Sequence, residues 1–106
     1  MDRELYERRA NIVKALAHPS RLIMADALVK GERCVCELQA LVGADISTVS
    51  KHLAVMRAAG LVTMRKEGLQ VFYSLRCPCI SAFFACVDEV VRTEAREQAR
   101  LAEMVG

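Results

Sequence analysis

Breaks in the helical pattern constrain the fold of this chain more than any other feature of its sequence. Pro19, Gly31, Gly43 and Gly60 recur at short intervals through its first part. Proline favours the first turn of a helix and glycine favours its end, so each interval predicts one short helix. A chain of 106 residues built from such helices has room for one domain with a modest core.

The spacing of the apolar side chains sets the predicted elements. The predicted helices cover residues 3–17, 19–30, 35–41, 48–59 and 80–102, and the predicted strands cover 61–65 and 69–75. Ser47 is the predicted N-cap of the fourth helix, because a serine hydroxyl accepts a hydrogen bond from the first turn. Lys66, Glu67 and Gly68 form the predicted turn between the two strands.

The order of these elements indicates a winged helix-turn-helix. A short helix, a tight turn and a second helix with polar outer side chains cover about 35–59, and the hairpin at about 61–75 follows directly as the wing. The predicted fold class is mainly α with a small β-hairpin, as one domain over residues 1–106. The alternative for this region is a solvated helix and hairpin without a binding role.

Positive charge is concentrated in one internal block of the sequence. Residues 47–79 carry five basic side chains against Glu67 alone, whereas residues 1–46 are neutral overall and residues 80–106 are acidic. Such a block favours a polyanion as partner, and a helix of small polar and basic side chains suits the major groove of duplex DNA. The alternative from another class is a winged-helix module that contacts proteins.

Three motifs resemble those of a known family. Residues 47–53 resemble the recognition-helix signature of the ArsR/SmtB family of metal- and stress-sensing bacterial repressors. Residues 16–22 resemble the helix junction of that family, and residues 31–38 resemble the cysteine box of its arsenic and cadmium sensors. The resemblance covers roughly residues 5–91, and the three motifs agree with the family in order and spacing.

The resemblance implies a homodimer that binds an imperfect inverted repeat of double-stranded DNA and leaves it when an inducer binds. The interface would be formed by the first and last helices, at about 3–17 and 80–102. The apolar stripe of the last helix is wider than one small core needs, and a second copy is a natural cover for it.

The recognition helix and the wing supply the candidate DNA contacts. We expect Thr48, Ser50, Lys51 and His52 at base edges and in the groove, Ser47 near phosphate, and Arg57, Arg65 and Lys66 at the DNA backbone. An alternative for His52 is a bond to a neighbouring side chain of the protein.

Cys34 and Cys36 form the first candidate metal site. In a regular helix, residues two apart point to nearly opposite sides, so one ion can hold both thiolates only where this turn is unwound or frayed. The arsenic box of the family has a third cysteine three residues beyond the second, and Gln39 stands there in this chain. We therefore expect the third sulfur around a trivalent arsenic to come from elsewhere.

Cys77 and Cys79 form the second candidate metal site, where the hairpin meets the last helix. In the zinc-sensing branch of the family an Asp-x-His pair lies at about these positions, but Val90 and Thr93 replace its later His and Glu partners. Sulfur ligands in place of oxygen and nitrogen favour thiophilic ions. Cys86 follows on the last helix, as a further thiol or as a small buried hydrophobe.

These expectations favour a repressor that a thiophilic inducer releases from its operator. Arsenite or antimonite is the favoured inducer, with cadmium, lead and copper(I) as other candidates. The alternative on the same fold is a redox or reactive-sulfur switch, in which two thiols join as a disulfide or polysulfide. We expect neither an enzyme nor a membrane protein, and the predicted location is the cytoplasm.

Overall fold

The computed structural model describes residues 2–106 as five helices and three short strands. The elements are α1 (Arg3–Leu16), α2 (Pro19–Val29), β1 (Arg33–Cys34), α3 (Val35–Val42), α4 (Ile46–Ala58), β2 (Val62–Glu67), β3 (Gln70–Leu75) and α5 (Ile80–Val105). Helices α3 and α4 form the helix-turn-helix, and β2 and β3 form the wing. The predicted fold, mainly α with a winged helix-turn-helix, is confirmed.

Proline and glycine end and restart the helices as the sequence predicts. His18 lies in extended backbone and caps α2, whose first residue is Pro19. Gly43 follows α3 with a φ of 74°, a left-handed conformation that glycine adopts at low cost. These two breaks allow α1, α3 and α4 to pack around α2 instead of continuing as one long helix.

The N-cap of α4 is Asp45, so the prediction of Ser47 is wrong. The Asp45 carboxylate accepts a hydrogen bond of 2.8 Å from the Thr48 backbone N–H, and the hydrogen bonds from Thr48 lower the pKa of Asp45. Both residue types favour an N-cap, and the helix begins at the earlier one because Gly43 has already ended α3. Ser47 therefore lies exposed in the first turn of α4.

The wing belongs to a three-stranded antiparallel sheet in the order β1-β3-β2. Strand β1 is only two residues long and runs directly into α3, so it shows no period that sequence reasoning could detect. Strand β2 includes Lys66 and Glu67, so the turn consists of Gly68 and Leu69 and not of the predicted residues 66–68.

The hydrophobic core lies between the first four helices and the base of the wing. It contains Ala15, Leu16, Met24, Ala25, Leu28, Leu38, Val49, Leu53, Met56, Leu61, Val62 and Leu75. Helix α5 packs on this core through the partly buried Ile80 and Phe84, and it has no buried residue. The radius of gyration is 17.0 Å, against about 13 Å for a compact domain of this size, because α5 projects away from the core. No helix within residues 2–106 is long and apolar enough to cross a membrane.

Candidate DNA interface and thiol site

The outer surface of α4 carries small polar and basic side chains on a firmly anchored helix. Ser47, Thr48, Ser50 and Lys51 are all exposed. The opposite face of α4 is buried through Val49, Leu53 and Met56, each at most 1% exposed, which fixes how far and in which direction the outer side chains project. Five residues in the first half of α4, 47, 48 and 50–52, are predicted to contact DNA. Four of them therefore share one accessible surface, and His52 is the exception.

His52 differs from these neighbours because it contacts other side chains of the protein. It is half-buried, and its Nδ1 lies 3.1 Å from Nη1 of Arg21. Its ring centroid is 4.3 Å from that of His18, which itself accepts the Ser20 backbone N–H at 3.0 Å through Nδ1. The structure thus shows the neighbour contact that was the alternative for His52, and a contact of His52 with DNA stays a prediction.

Acid should destabilise the protein through His52. Burial lowers the pKa of His52 below its ordinary value of 6.5, and the nearby His18 and Arg21 lower it further. The unfolded chain then binds this proton more tightly than the folded protein. The contribution of His52 to the free energy of unfolding is therefore present in full above about pH 6.5 and is lost as pH falls toward the lowered pKa. We expect the melting temperature to decrease between pH 7.5 and pH 5.5, and calorimetry at both values will test this.

The control variant is His52→Gln, which keeps a polar side chain but has no titrating group. His52 is one of only two histidines in this chain, and histidine is the side chain type whose ordinary pKa lies in this range. The variant should lose part of the acid-induced decrease. A decrease of the same size in His52→Gln and in the parent would refute the assignment.

The three basic residues predicted at the DNA backbone lie in different environments. Arg57 donates from Nη1 to Sδ of Met64 at 2.9 Å, which joins the end of α4 to the wing. Arg65 is held by two carboxylates and is treated below. Lys66 is exposed on β2, and no ion pair in the described part of the chain involves Lys66 or Lys51. These two lysines therefore carry charge that no carboxylate of the described chain neutralises.

Cys34 and Cys36 are joined as a disulfide at the beginning of α3, with their Cα atoms 5.4 Å apart. Cys34 is the N-cap residue in extended backbone, and its N–H donates to the Glu37 carboxylate at 3.3 Å. Because Cys34 lies outside the helix, the two sulfurs meet while α3 keeps its regular first turn, and the binding of one ion by both thiolates stays a prediction. Cys34 is buried and Cys36 is exposed, so reagents reach the pair through Cys36.

The cysteine pair borders a cleft of about 440 Å³ between α3, α4 and the wing. The residues that line it are Cys34, Val35, Cys36, Gln39, Ile46, Ser50, Met64, Leu69, Gln70, Val71 and Tyr73. Gln39, at the position of the missing third cysteine, donates to the carbonyl of Ala44 at 3.4 Å and so bridges the turn of the helix-turn-helix. A change at the cysteine pair therefore acts on the same cleft that the recognition helix and the wing share.

The remaining cysteines lie away from this pair. Cys77 and Cys79 are exposed thiols between β3 and α5, and both line an apolar cleft of about 280 Å³ beside Ile12. Cys86 is exposed on α5 in the single chain, so the structure does not show it as a buried hydrophobe. Within residues 2–106 no three Cys, His, Asp or Glu side chains come together to hold a metal ion. The donors of one chain thus supply two sulfurs at most for trivalent arsenic, which prefers three.

This combination of a winged helix-turn-helix and an exposed polar and basic recognition helix defines the class of DNA-binding transcriptional regulators. The family model described as "Bacterial regulatory protein, arsR family" matches residues 18–64. The chain belongs to this family. Since these proteins are transcriptional regulators, membership confirms that the chain is not an enzyme.

Three similar proteins support this membership. The uncharacterized HTH-type transcriptional regulator Rv0081 of Mycobacterium tuberculosis is 38% identical over 82% of this chain and 77% of its own length, and its crystal structure gives a TM-score of 0.78 over 90% of this chain and 96% of that one. The biofilm growth-associated repressor of Xylella fastidiosa is 42% identical over 71% of this chain and 69% of its own. The homodimeric winged helix-turn-helix domain Mb0332 of Mycobacterium bovis is 31% identical, with a TM-score of 0.76 over 92% of each chain. None of these three descriptions names arsenic, so they support the family and not its arsenic-sensor branch.

Proposed function

We propose that this protein is a homodimeric cytoplasmic repressor that leaves its operator when Cys34 and Cys36 join as a disulfide. The observation that carries the proposal is the position of the pair, with Cys34 as N-cap of α3 and Cys36 in its first turn. In reducing compartments, disulfides are mostly transient and used in catalysis or sensing. Two cysteines whose sulfurs meet, one of which (Cys36) is exposed to solvent, fit a sensor better than a structural disulfide.

The bond acts on DNA binding through α3. It ties the residue that ends β1 to the first turn of the helix, which changes the constraints on how α3 lies against α4. Leu38 of α3 is fully buried in the same core as Val49 and Leu53 of α4, and packed interiors transmit small displacements because they contain few voids. The oxidised and reduced forms then present the recognition helix differently, as coupling between two sites requires.

The chemistry needs an oxidant that accepts two electrons. A hydrogen peroxide molecule converts the two thiols into one S–S bond and leaves as two molecules of water. A hydropersulfide transfers its outer sulfur to one protein thiol and leaves as a thiol, after which the second protein thiol displaces hydrogen sulfide and forms the same bond. Attack on either oxidant requires the thiolate form of the cysteine.

The test is anisotropy of a labelled duplex selected for binding from an inverted-repeat library. Reduced protein without oxygen should bind it, and separate titrations add peroxide, a hydropersulfide donor and arsenite. Release by peroxide or hydropersulfide, together with the loss of two hydrogens from the protein by mass spectrometry, supports the proposal. Retention of the duplex after the pair has fully oxidised contradicts it.

A thiophilic ion is the second candidate inducer, since the two adjacent sulfurs are also a chelate for soft ions. Arsenite or antimonite would need a third ligand from solvent or from a second copy, and the exposed thiols that could supply it are Cys77, Cys79 and Cys86. Cadmium, lead and copper(I) are alternatives at the same sites. Release by arsenite alone, without oxidation, would favour this candidate.

The homodimer is proposed from the apolar side chains that one chain leaves exposed. On α1 and α5 these include Leu5, Ile12, Val13, Phe83, Val87, Val90, Val91 and Leu101. Large exposed apolar side chains at helical spacing on α5 favour an interaction site, and the similar domain Mb0332 is described as homodimeric. In such a dimer the two recognition helices read the two halves of an inverted repeat through Thr48, Ser50, Lys51 and His52. Ser47 lies near phosphate, and Arg57 and Lys66 contact phosphates.

A charge on α5 should break the dimer. Val91 is 63% exposed in the single chain, and Val91→Glu would place a carboxylate in the apolar interface, where burying an unpaired charge is strongly unfavourable. We expect a monomer by sedimentation at concentrations at which the parent is a dimer. The control is Thr93→Glu, which adds the same charge about 200° around the helix and should stay dimeric. Equal dimerisation of Val91→Glu and the parent would exclude this surface as the interface.

A further inference from the structure

One row of residues crosses the whole sheet from the cysteine pair to the wing. Cys34 of β1 is paired with Phe72 of β3, and Phe72 is paired with Arg65 of β2. Residues directly opposite in antiparallel strands project to the same face of the sheet. The buried sensor cysteine and the predicted phosphate contact Arg65 therefore belong to one continuous row.

Arg65 lies at the β2 end of this row, and all three nitrogens of its guanidinium group donate hydrogen bonds to carboxylates. Its Nε and Nη2 donate to the two carboxylate oxygens of Glu32, at 2.9 and 2.6 Å, and its Nη1 donates to Glu67 at 2.6 Å. The guanidinium carbon lies 4.6 Å from the centre of the Phe72 ring. The Ser74 hydroxyl donates a further hydrogen bond of 3.3 Å to Glu32. Phe72 therefore holds the Arg65 side of the ion pair, and Ser74 holds the Glu32 side.

This arrangement leaves little of Arg65 for DNA. A guanidinium binds phosphate through the same fork of N–H groups that here binds Glu32. The two carboxylates raise the pKa of Arg65, and the hydrogen bond from Arg65 lowers that of Glu32, so both partners stay charged at neutral pH. Release of Arg65 to a phosphate would leave both carboxylates close to the DNA.

We propose that Arg65 is a positioning residue that couples the thiol state of Cys34 and Cys36 to the wing. Glu32 precedes Cys34 by two residues, so it moves with the backbone that must adjust when the sulfurs join or separate. The two hydrogen bonds from Arg65 to Glu32 pass that displacement past β3 to β2. Strand β1 by itself is joined to the sheet by only two paired residues. This coupling rests on the proposed sensor role of the cysteine pair.

Hydrogen exchange of the wing tests the coupling. In the full-length protein, amides of residues 62–75 should exchange at rates that differ about fivefold between the reduced and the disulfide forms, a coupling of ordinary size. Arg65→Ala should remove this difference. Arg65→Lys keeps the charge and the stem but has no fork, and it should also remove most of the difference. Glu32→Gln should also reduce the difference in exchange rate between the reduced and the disulfide forms.

The control is Lys66→Ala, beside Arg65 on the same strand. It should keep the thiol-dependent exchange but flatten the salt dependence of DNA binding by about one unit, whereas Arg65→Ala should leave that slope unchanged. An exchange difference that survives in both Arg65 variants, or that is absent in the parent, overturns the coupling. A slope that Arg65→Ala flattens as much as Lys66→Ala overturns it too. If the wing responds to the thiol state but the duplex stays bound, the proposed repressor mechanism fails while the coupling stands.

Discussion

Replacing either Cys34 or Cys36 by serine should abolish the release of DNA by oxidants without weakening DNA binding by the reduced protein. The parent should lose roughly tenfold or more in affinity when the pair oxidises, which is a typical coupling free energy of 1–3 kcal/mol. Serine keeps the size and a hydrogen-bonding group at both positions and favours an N-cap at residue 34. Anisotropy of the labelled duplex, before and after peroxide, measures the ratio of the two affinities directly.

Two matched variants make this result specific. Cys77→Ser and Cys79→Ser remove thiols that are exposed but lie away from the beginning of α3, and both should release DNA as the parent does. A full response in Cys36→Ser would show that another pair is the sensor. Loss of the response in Cys77→Ser or Cys79→Ser would instead place a partner thiol at the junction of β3 and α5.

The sequence was sufficient for the fold because its breaks are strong local signals. Pro19 and Gly43 act on the chain within one turn, and the buried stripe of α4, with Val49, Leu53 and Met56, repeats at helical spacing. The sequence does not indicate strand β1, because two residues carry no period and their pairing with β3 depends on residues about 40 positions away. Where two residues could each cap a helix, as Asp45 and Ser47 could, local preference does not decide between them.

The candidate site was predictable in its residue types but not in its pairings. Exposed small polar residues on α4 follow directly from the apolar spacing. In contrast, the contact of His52 with Arg21 joins α4 to α2 across 31 residues, and that of Arg65 with Glu32 spans 33 residues. Such contacts depend on the tertiary arrangement. The sequence therefore predicts phosphate contacts for the basic side chains of one block, although the fold brings the Glu32 carboxylate to one of them, Arg65.

Leu38→Ala should have the largest effect on stability of any single truncation in α3. Leu38 is 0% exposed in the core between α3 and the other helices. Removing a fully buried leucine side chain costs about 2–5 kcal/mol, through lost transfer free energy and the cavity that remains. For a domain of this size that corresponds to a decrease in melting temperature of roughly 10–30 °C. Thermal unfolding of the reduced protein, followed by circular dichroism at fixed concentration, measures it.

Leu41→Ala is the matched control, because it makes the same change in the same helix at a residue that is 50% exposed. It should shift the free energy of unfolding by only about 0.5 kcal/mol or less. The comparison also bears on the sensor, since Leu38 is the contact through which α3 would pass a change at its first turn to the recognition helix. Leu38→Ala should therefore reduce the oxidant response at a temperature where it is still folded, whereas Leu41→Ala should not. Equal effects of the two variants would show that α3 is not held by the core in this way, and the route from the cysteine pair to α4 would have to run through the wing.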